Sequence, residues 1–304
     1  MKSVGSWELP AGYLDASGVL HRQVQLHALS GHEEELLSST EYPGPETVTE
    51  VLRNCVDRIG SITEIDSDIL RQLCVADRQY LLLMLRQLTF GDRVQATLPC
   101  PWPGCGENVD LDFNISDIPL TLCSYQANYH LELEPDLCVD ILALADTAPV
   151  TVVYRLPNGG DQEAVLKANR NNGSRALSQL FSRCIVRIGS VENPTEEFIR
   201  SLPAQLRKRI EEDMESHAPN LDLTMEAHCP GCQRNFTAPF ELQDFFFGEI
   251  KFGTQLLFRE VHYLAFHYHW SENEILAMPR SRRRQYIEIL SDEIEKINES
   301  FSKQ

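Results

Sequence analysis

Laid over one another at an offset of 129 residues, the segments 55–100 and 184–229 stay in register for 46 positions without a gap and share nine identities. CVDRIGSI at 55–62 falls on CIVRIGSV at 184–191, Arg71 on Arg200, Leu73 on Leu202, Arg78 on Arg207 and Cys100 on Cys229. Ile69 with Phe198 and Leu85 with Met214 are conservative pairs. After a two-residue deletion the match resumes, Asn108, Val109 and Phe113 corresponding to Asn235, Phe236 and Phe240. Repetition at a fixed offset is the mark of a duplicated unit, so the chain is expected to fold as two versions of one module.

Within each version the apolar residues follow a helical period. Val48, Val51, Leu52, Cys55, Val56 and Ile59 lie on one face, and Leu177, Leu180, Phe181, Cys184, Ile185 and Ile188 repeat it. Gly60 and Gly189 follow as expected helix C-caps. Asp77 is placed to cap a helix running to Leu88, whose counterpart spans Ala204 to His217. Each module thus reads helix, short helix, helix, cysteine turn, then a short strand at Asn108 or Asn235.

Between the modules Tyr129–Glu134 alternates as a half-buried strand, and Thr151–Lys167 reads as a hairpin turning at Pro157, Asn158, Gly159 and Gly160. A strand is expected near Val24 and Leu26, followed by a short acidic helix around Glu33–Leu37. Beyond Phe247 the pattern is helical, with Leu257, Val261, Leu264, Ala265 and Tyr268 on one face and a capping box at Ser271 and Glu274. A last helix after Pro279 carries the stripe Tyr286, Leu290, Ile294 and Ile297, able to dock on the body or on a partner. The expected fold class is α+β: a first helical module with N-terminal strand and cysteine turn over 1–117, a β-rich insert over 118–170, a second helical module over 171–245 and a C-terminal helical arm over 246–304.

Cys100 and Cys105 enclose Pro101, Trp102, Pro103 and Gly104, while Cys229 and Cys232 enclose Pro230 and Gly231. Proline fixes the backbone and glycine permits the tight reversal, so each turn can aim two sulfurs the same way. Zinc takes four thiolates in a closed tetrahedron, and Cys100, Cys105, Cys229 and Cys232 are therefore the expected ligands of structural zinc. Whether the pairs share one ion or hold one each is open at this level. Cys55, Cys74, Cys123, Cys138 and Cys184 read as ordinary core or strand residues.

The 304 residues carry a formal charge of −18, which disfavours phosphate backbones and anionic lipids as partners. MKSVGSWELPAG lacks the apolar run of a signal peptide and the longest apolar stretch, Tyr80–Leu85, is too short to span a bilayer, so a cytosolic location is expected. Nine cysteines then read as reduced thiols or metal ligands. His32 and Glu34 form a His-x-Glu pair as in zinc deaminases, but no cysteine pair follows at the required spacing, leaving them as surface residues of an acidic helix. His262, His267 and His269 point in different directions on a helix. With no phosphate loop or nucleophile elbow either, no catalytic residues are expected and the chain reads as a non-enzyme. A zinc-ribbon nucleic-acid-binding protein is the alternative, resting on the basic cluster Arg280, Arg282, Arg283 and Arg284, although no aromatic platform surrounds either cysteine turn.

The runs VQLHALSGHEEELL, DRQYLLLMLRQLTFGD and LPCPWPGCGENVDLDF, within residues 18–117, resemble the baseplate hub assembly proteins of T-even-like contractile phage tails and related contractile injection systems. The later run HYLAFHYHWSENEILAMPRSRRRQYIEIL is similar to the terminal segment of members from phage-like injection particles. The resemblance implies a non-enzymatic part in building the hub, with tail or baseplate hub proteins as partners. Cys100 and Cys105 sit at the family's cysteine turn, whereas the pair at Cys229 and Cys232 departs from shorter members.

Overall fold

A computed structural model describes residues 4–39, 44–134, 150–168 and 173–302. The first half runs β1 (Val4–Leu14), β2 (Leu20–His27), α1 (Gly31–Ser39), α2 (Pro45–Cys55), β3 (Val56–Ile59), α3 (Ser67–Gln72), α4 (Val75–Phe90), β4 (Arg93–Pro99) and β5 (Asn108–Asn114). After β6 (Leu120–Thr121), the same succession returns as β7 (Tyr129–Leu133), β8 (Val150–Tyr154), α5 (Gly159–Ala168), α6 (Gly173–Cys184), β9 (Ile185–Ile188), a short β10 (Val191–Glu192), α7 (Glu196–Ser201) and α8 (Ala204–His217). Then come β11 (Asn220–Leu221), β12 (Thr224–His228), β13 (Asn235–Pro239), α9 (Leu242–Tyr268), α10 (Glu272–Leu276) and α11 (Arg280–Ser302). The result is a mixed α+β fold with several small antiparallel sheets.

The correspondence is close. Strands β3 and β9, helices α3 and α7, and the starts of α4 and α8 are each displaced by the 129 residues found in the sequence. It also reaches further upstream than the sequence match. Strands β1, β2 and β3 form one antiparallel sheet in that order, and β7, β8 and β9 are ordered alike in another, extended by β10. The strand expected at Val24 and Leu26 is thus β2, paired with β3. Of the two strands from the segment expected to be an insert, β8 hydrogen bonds to β9 of the second helical module and β7 to β8.

Three local expectations are corrected. The helical period seen through Ile59 breaks at Cys55, where Val56 turns extended and Val56–Ile59 enters the sheet, as does Ile185–Ile188. Both runs begin and end in β-branched residues that favour the pleated surface. Gly60 and Gly189 therefore close the turns after strands, at φ 57° and 54°, and cap no helix. A Cβ on Gly60 would come within 2.3 Å of His21, so only glycine passes there. The expected hairpin over Thr151–Lys167 is strand β8 followed by helix α5. Asn158 Oδ1 accepts the Asp161 N–H at 3.0 Å and Asp161 Oδ2 accepts the Asn158 N–H at 3.0 Å, a reciprocal cap that starts a helix where two glycines suggest a turn.

Asp77 is the third. It lies within the first turn of α4, behind the cap position at Cys74, fully buried, and accepts the backbone N–H groups of Ala11 and Gly12 at 2.8 and 3.0 Å, tying α4 to β1. Burial raises its pKa from 3.8 to about 7, against the pull of those two N–H donors and of Arg22. The folded chain therefore keeps a proton that an unfolded aspartate has released, and stability falls as pH rises from about 4 to about 7. Asp77→Asn cannot ionise and should flatten that slope: it melts well below the parent at low pH, and the gap narrows toward neutrality. Thermal melts across that range check it.

The main core gathers Leu26, Leu52, Leu81 and Leu85 with Phe246, Phe247 and Ile250 of α9. Each fully buried side chain of this kind contributes roughly 2 kcal/mol, so the first turns of the helical arm belong to the body. A second core packs Tyr129, Val152, Tyr154, Ile185, Ile188 and Leu206 with Ala11, Cys74 and Ala76 of the first half. Helix α11 docks by its first turns, Leu290 and Ile294 half-buried and Ile297 exposed farther out. Cys55, Cys74 and Cys184 are buried and Cys123 half-buried, while Cys138 lies outside the described residues. Among the described residues no helix is long and apolar enough to cross a membrane.

Candidate metal centre

Each cysteine turn closes a β-hairpin. Strands β4 and β5 pair from Arg93 with Asn114 to Pro99 with Asn108, and the ladder runs one step on, Cys100 donating its N–H to the Glu107 carbonyl at 2.8 Å. Strands β12 and β13 pair up to His228 with Asn235, and Cys229 donates to the Arg234 carbonyl at 3.0 Å. Gly104 and Gly106 in the first turn, and Gln233 after the second, take the left-handed conformation that folds each loop back. Pro101, Pro103 and Pro230 limit the alternatives by fixing φ.

The two hairpins meet at their tips and bring together all four sulfurs expected as ligands. Cys100 Sγ lies 3.7 Å from Cys232 Sγ, Cys105 Sγ lies 3.6 Å from Cys229 Sγ, and the four fall within 4.8 Å of one another. These separations rule out disulfides, whose sulfurs sit about 2.05 Å apart. A tetrahedron of thiolates with metal–sulfur bonds of about 2.3 Å has edges of roughly 3.8 Å, so the set fits one four-coordinate ion between the turns. Among the described residues no other group of three or more histidine, cysteine or acidic side chains is so placed.

The surroundings favour thiolates unequally. The Cys229 sulfur accepts the backbone N–H groups of Cys232 and Gly231, which draws its pKa down from 9.0 to about 7. Burial pushes Cys100 up to about 12, against the N–H of Trp102. At Cys105 the N–H of Glu107 pulls downward, but burial and the Cys229 and Cys232 thiols leave the pKa raised. Four thiols at this distance cannot all ionise alone; a divalent cation supplies the charge that lets them. Val109 and Phe236 are buried beside Cys100 and Cys229, with Ala227 and Ala238 packed around them. Arg234 stacks over Trp102 with its guanidinium carbon 5.2 Å from the ring centre, pinning the first turn to the second hairpin.

The other candidates separate. His32 is exposed, but Glu34, expected on the surface, is buried at 4% exposure and bonded to Arg283 at 2.8 Å. His262 stacks on Phe266 and His267 packs against Tyr263. The basic cluster is likewise divided: Arg283 is fully buried between Glu34 and Glu260, and Arg280 stacks on Phe90, while Arg282 and Arg284 face solvent. The stacked Trp102–Arg234 pair and the buried Glu34–Arg283 pair were missed in the sequence, where nothing local links residues so far apart.

Residues 18–247 match the profile of a family described as T4 bacteriophage base plate protein. Residues 251–304 match a second, described as a family of unknown function (DUF6760). No curated protein and no solved structure matches the chain.

Proposed function

We propose, from the premise that the chain belongs to the T4 bacteriophage base plate protein family, that it is a zinc-stabilised structural or assembly protein acting at the hub of a phage-tail-like contractile machine. The observation that carries the zinc is the set of four cysteine sulfurs within 4.8 Å of one another at the tips of two hairpins. An all-thiolate donor set selects zinc over harder cations. A site with all four positions taken by protein leaves none for substrate, which fits a structural role.

On this reading the module is duplicated. Residues 118–170 supply the leading strands of the second copy, and one ion clasps the two copies through Cys100, Cys105, Cys229 and Cys232. The partners are other baseplate hub proteins, met in the bacterial cytoplasm where tails assemble. A zinc-ribbon nucleic-acid binder is less well supported: Arg283 and Arg280 are turned into the protein, and the chain carries a formal charge of −18.

Two measurements test the proposal. Mass spectrometry of untagged chain, purified without chelator, should find one zinc with four thiols unreactive until the metal is removed. A tagged chain expressed during particle production should co-sediment with baseplate components. Nine thiols reactive on unfolding with no metal would end the zinc reading, and sedimentation apart from every tail component would end the hub reading.

A further inference from the structure

A short helix followed by a longer one occurs three times, as α3–α4, α7–α8 and α10–α11. Each pair opens on a capping side chain, Asp66, Thr195 or Ser271, that accepts the N–H three residues on. Twelve residues after the cap stands an arginine: Arg78, Arg207 or Arg283. Two of these pairs hold the first turn of another helix.

On α3–α4 sits the start of α5. Gly159 donates its N–H to the Leu73 carbonyl at 3.1 Å, and Asn158 bridges Cys74. Glu163 reaches Arg71 at 2.9 Å and Thr49 at 2.6 Å, and Arg78 donates to Thr49 at 2.9 Å. On α10–α11 sits the start of α1. Gly31 donates to the Met278 carbonyl at 3.3 Å, Ser30 bridges Pro279, and Glu34 meets Arg283. Leu73 and Met278 both stand seven residues after their caps, and Cys74 and Pro279 eight.

The two guests share a chemistry. Each begins with a capping residue and a glycine, Ser30-Gly31 and Asn158-Gly159, and completes the cap with an acid, Glu33 or Asp161. Each then offers a glutamate to the socket: Glu34 pairs with Arg283 directly, whereas Glu163 pairs with Arg71 and reaches Arg78 through Thr49. The glycine is required, because a Cβ would sit 2.4 Å from Arg78 at position 159 and 2.8 Å from Leu276 at position 31.

The third pair has the same parts, with no guest among the described residues. Leu202 and Pro203 stand seven and eight residues after Thr195, and Ser178 and Arg200 correspond to Thr49 and Arg71. Among the described residues the Arg207 guanidinium meets no acceptor, and Arg200 reaches only Glu197 of its own helix at 4.0 Å. The Nε atoms of Arg78 and Arg207 are both buried without partners, so the difference lies in the outer nitrogens. Arg78 is buried against Gly159 at the start of α5, whereas Arg207 is half-exposed; Cys74 and Ala76 are buried in the second core, whereas Pro203 is half-exposed and Gln205 exposed.

We propose that α7–α8 is a docking socket for the first turn of a helix supplied by a different protein. That helix opens with Ser, Asn or Asp followed by glycine, and carries a capping acid and a further glutamate that pairs with Arg200 and Arg207. A second copy of this chain is a poorer occupant, since its two helices of that kind are already seated. The socket deepens the assembly reading by naming a contact face, but its geometry stands without the metal, and failure of the test below leaves the baseplate family untouched.

The test titrates isotope-labelled full chain with a synthetic peptide of residues 155–168, which holds the α5 start. Saturable shifts at Leu202, Ala204 and Arg207 are expected. They should weaken roughly tenfold in Arg207→Ala and Arg200→Glu, and equally when the peptide has glutamine at Glu163. Unchanged melting curves of both variants exclude misfolding. Shifts confined to α3–α4, meaning exchange with the seated α5, or binding indifferent to Arg207, or absence of binding, would overturn the proposal. A dimer of the full chain that dissociates in Arg207→Ala would overturn the choice of a different protein.

Discussion

Cys229→Ser is expected to loosen both hairpins at once, at a cost on the order of several kcal/mol. Cys229 is fully buried, and its sulfur is the one already drawn toward thiolate by two backbone N–H groups. On the proposed zinc reading, a serine hydroxyl there would give the ion a harder and far less acidic ligand in an apolar pocket formed with Val109 and Phe236. An ion on these sulfurs would cross-link positions 132 and 124 residues apart, so its loss would free the first hairpin as well as the second. Backbone shifts over 93–114 and 224–239, followed by calorimetry, measure this; damage confined to the second hairpin would mean two separate sites. Acid should act in the same direction. Metal-bound sulfurs are deprotonated, free ones hold protons with Cys229 titrating at about 7 and Cys100 at about 12, so retention of zinc must weaken as pH falls. Cys123→Ser, away from the cluster, serves as the control.

Arg283→Met is the second large effect, with an expected loss of about 3–5 kcal/mol. The guanidinium is 0% exposed and donates to Glu260 at 2.9 Å, Glu34 at 2.8 Å and the Met278 carbonyl at 2.7 Å. Its removal leaves two carboxylates, their side chains 4% and 6% exposed, facing each other without that cation. Burial already raises the pKa of Glu34, against the pull of Arg283 and Arg280. In the variant Glu34 is driven further toward the protonated form. A raised folded-state pKa gives stability that is present at low pH and lost as pH rises, so the variant should weaken as pH climbs above the ordinary carboxylate range. Adding Glu34→Gln should restore part of the stability by removing one of the two buried charges that lost Arg283, leaving Glu34 only the longer contact of 3.8 Å to Arg280 to give up. Urea unfolding as a function of pH is the measurement. The same contacts make the last helix part of the body: cutting the chain before Arg280 would strand Glu34 and Glu260 in the same way.

The sequence was most legible where pattern and local chemistry agree. The offset of 129 residues located β3 with β9 and α3 with α7, and α8 spans Ala204–His217 as its spacing predicts. The cysteine turns announced themselves by proline and glycine, and their four sulfurs do meet. Errors arose where one period serves two structures. Val48 through Ile59 keeps a helical rhythm, yet the last four residues are a strand because a sheet edge lies beside them. At Asn158-Gly159-Gly160-Asp161 the turn signal and the cap signal coincide, and the docking of α5 on α3–α4 favours the helix. The ion pair of Glu34 and Arg283 has no local trace at all, since its members are 249 residues apart.

That separation also sets an order of events during translation. At roughly 5–20 residues per second, Arg283 leaves the ribosome about 10–50 s after Glu34. For all of that interval α1 lacks its seat on α10–α11. The socket of α3–α4 emerges soon after α1, long before α5, the guest it finally holds. The nascent chain thus carries an early host and an early guest of the same cap-and-glycine chemistry before either native counterpart has been made.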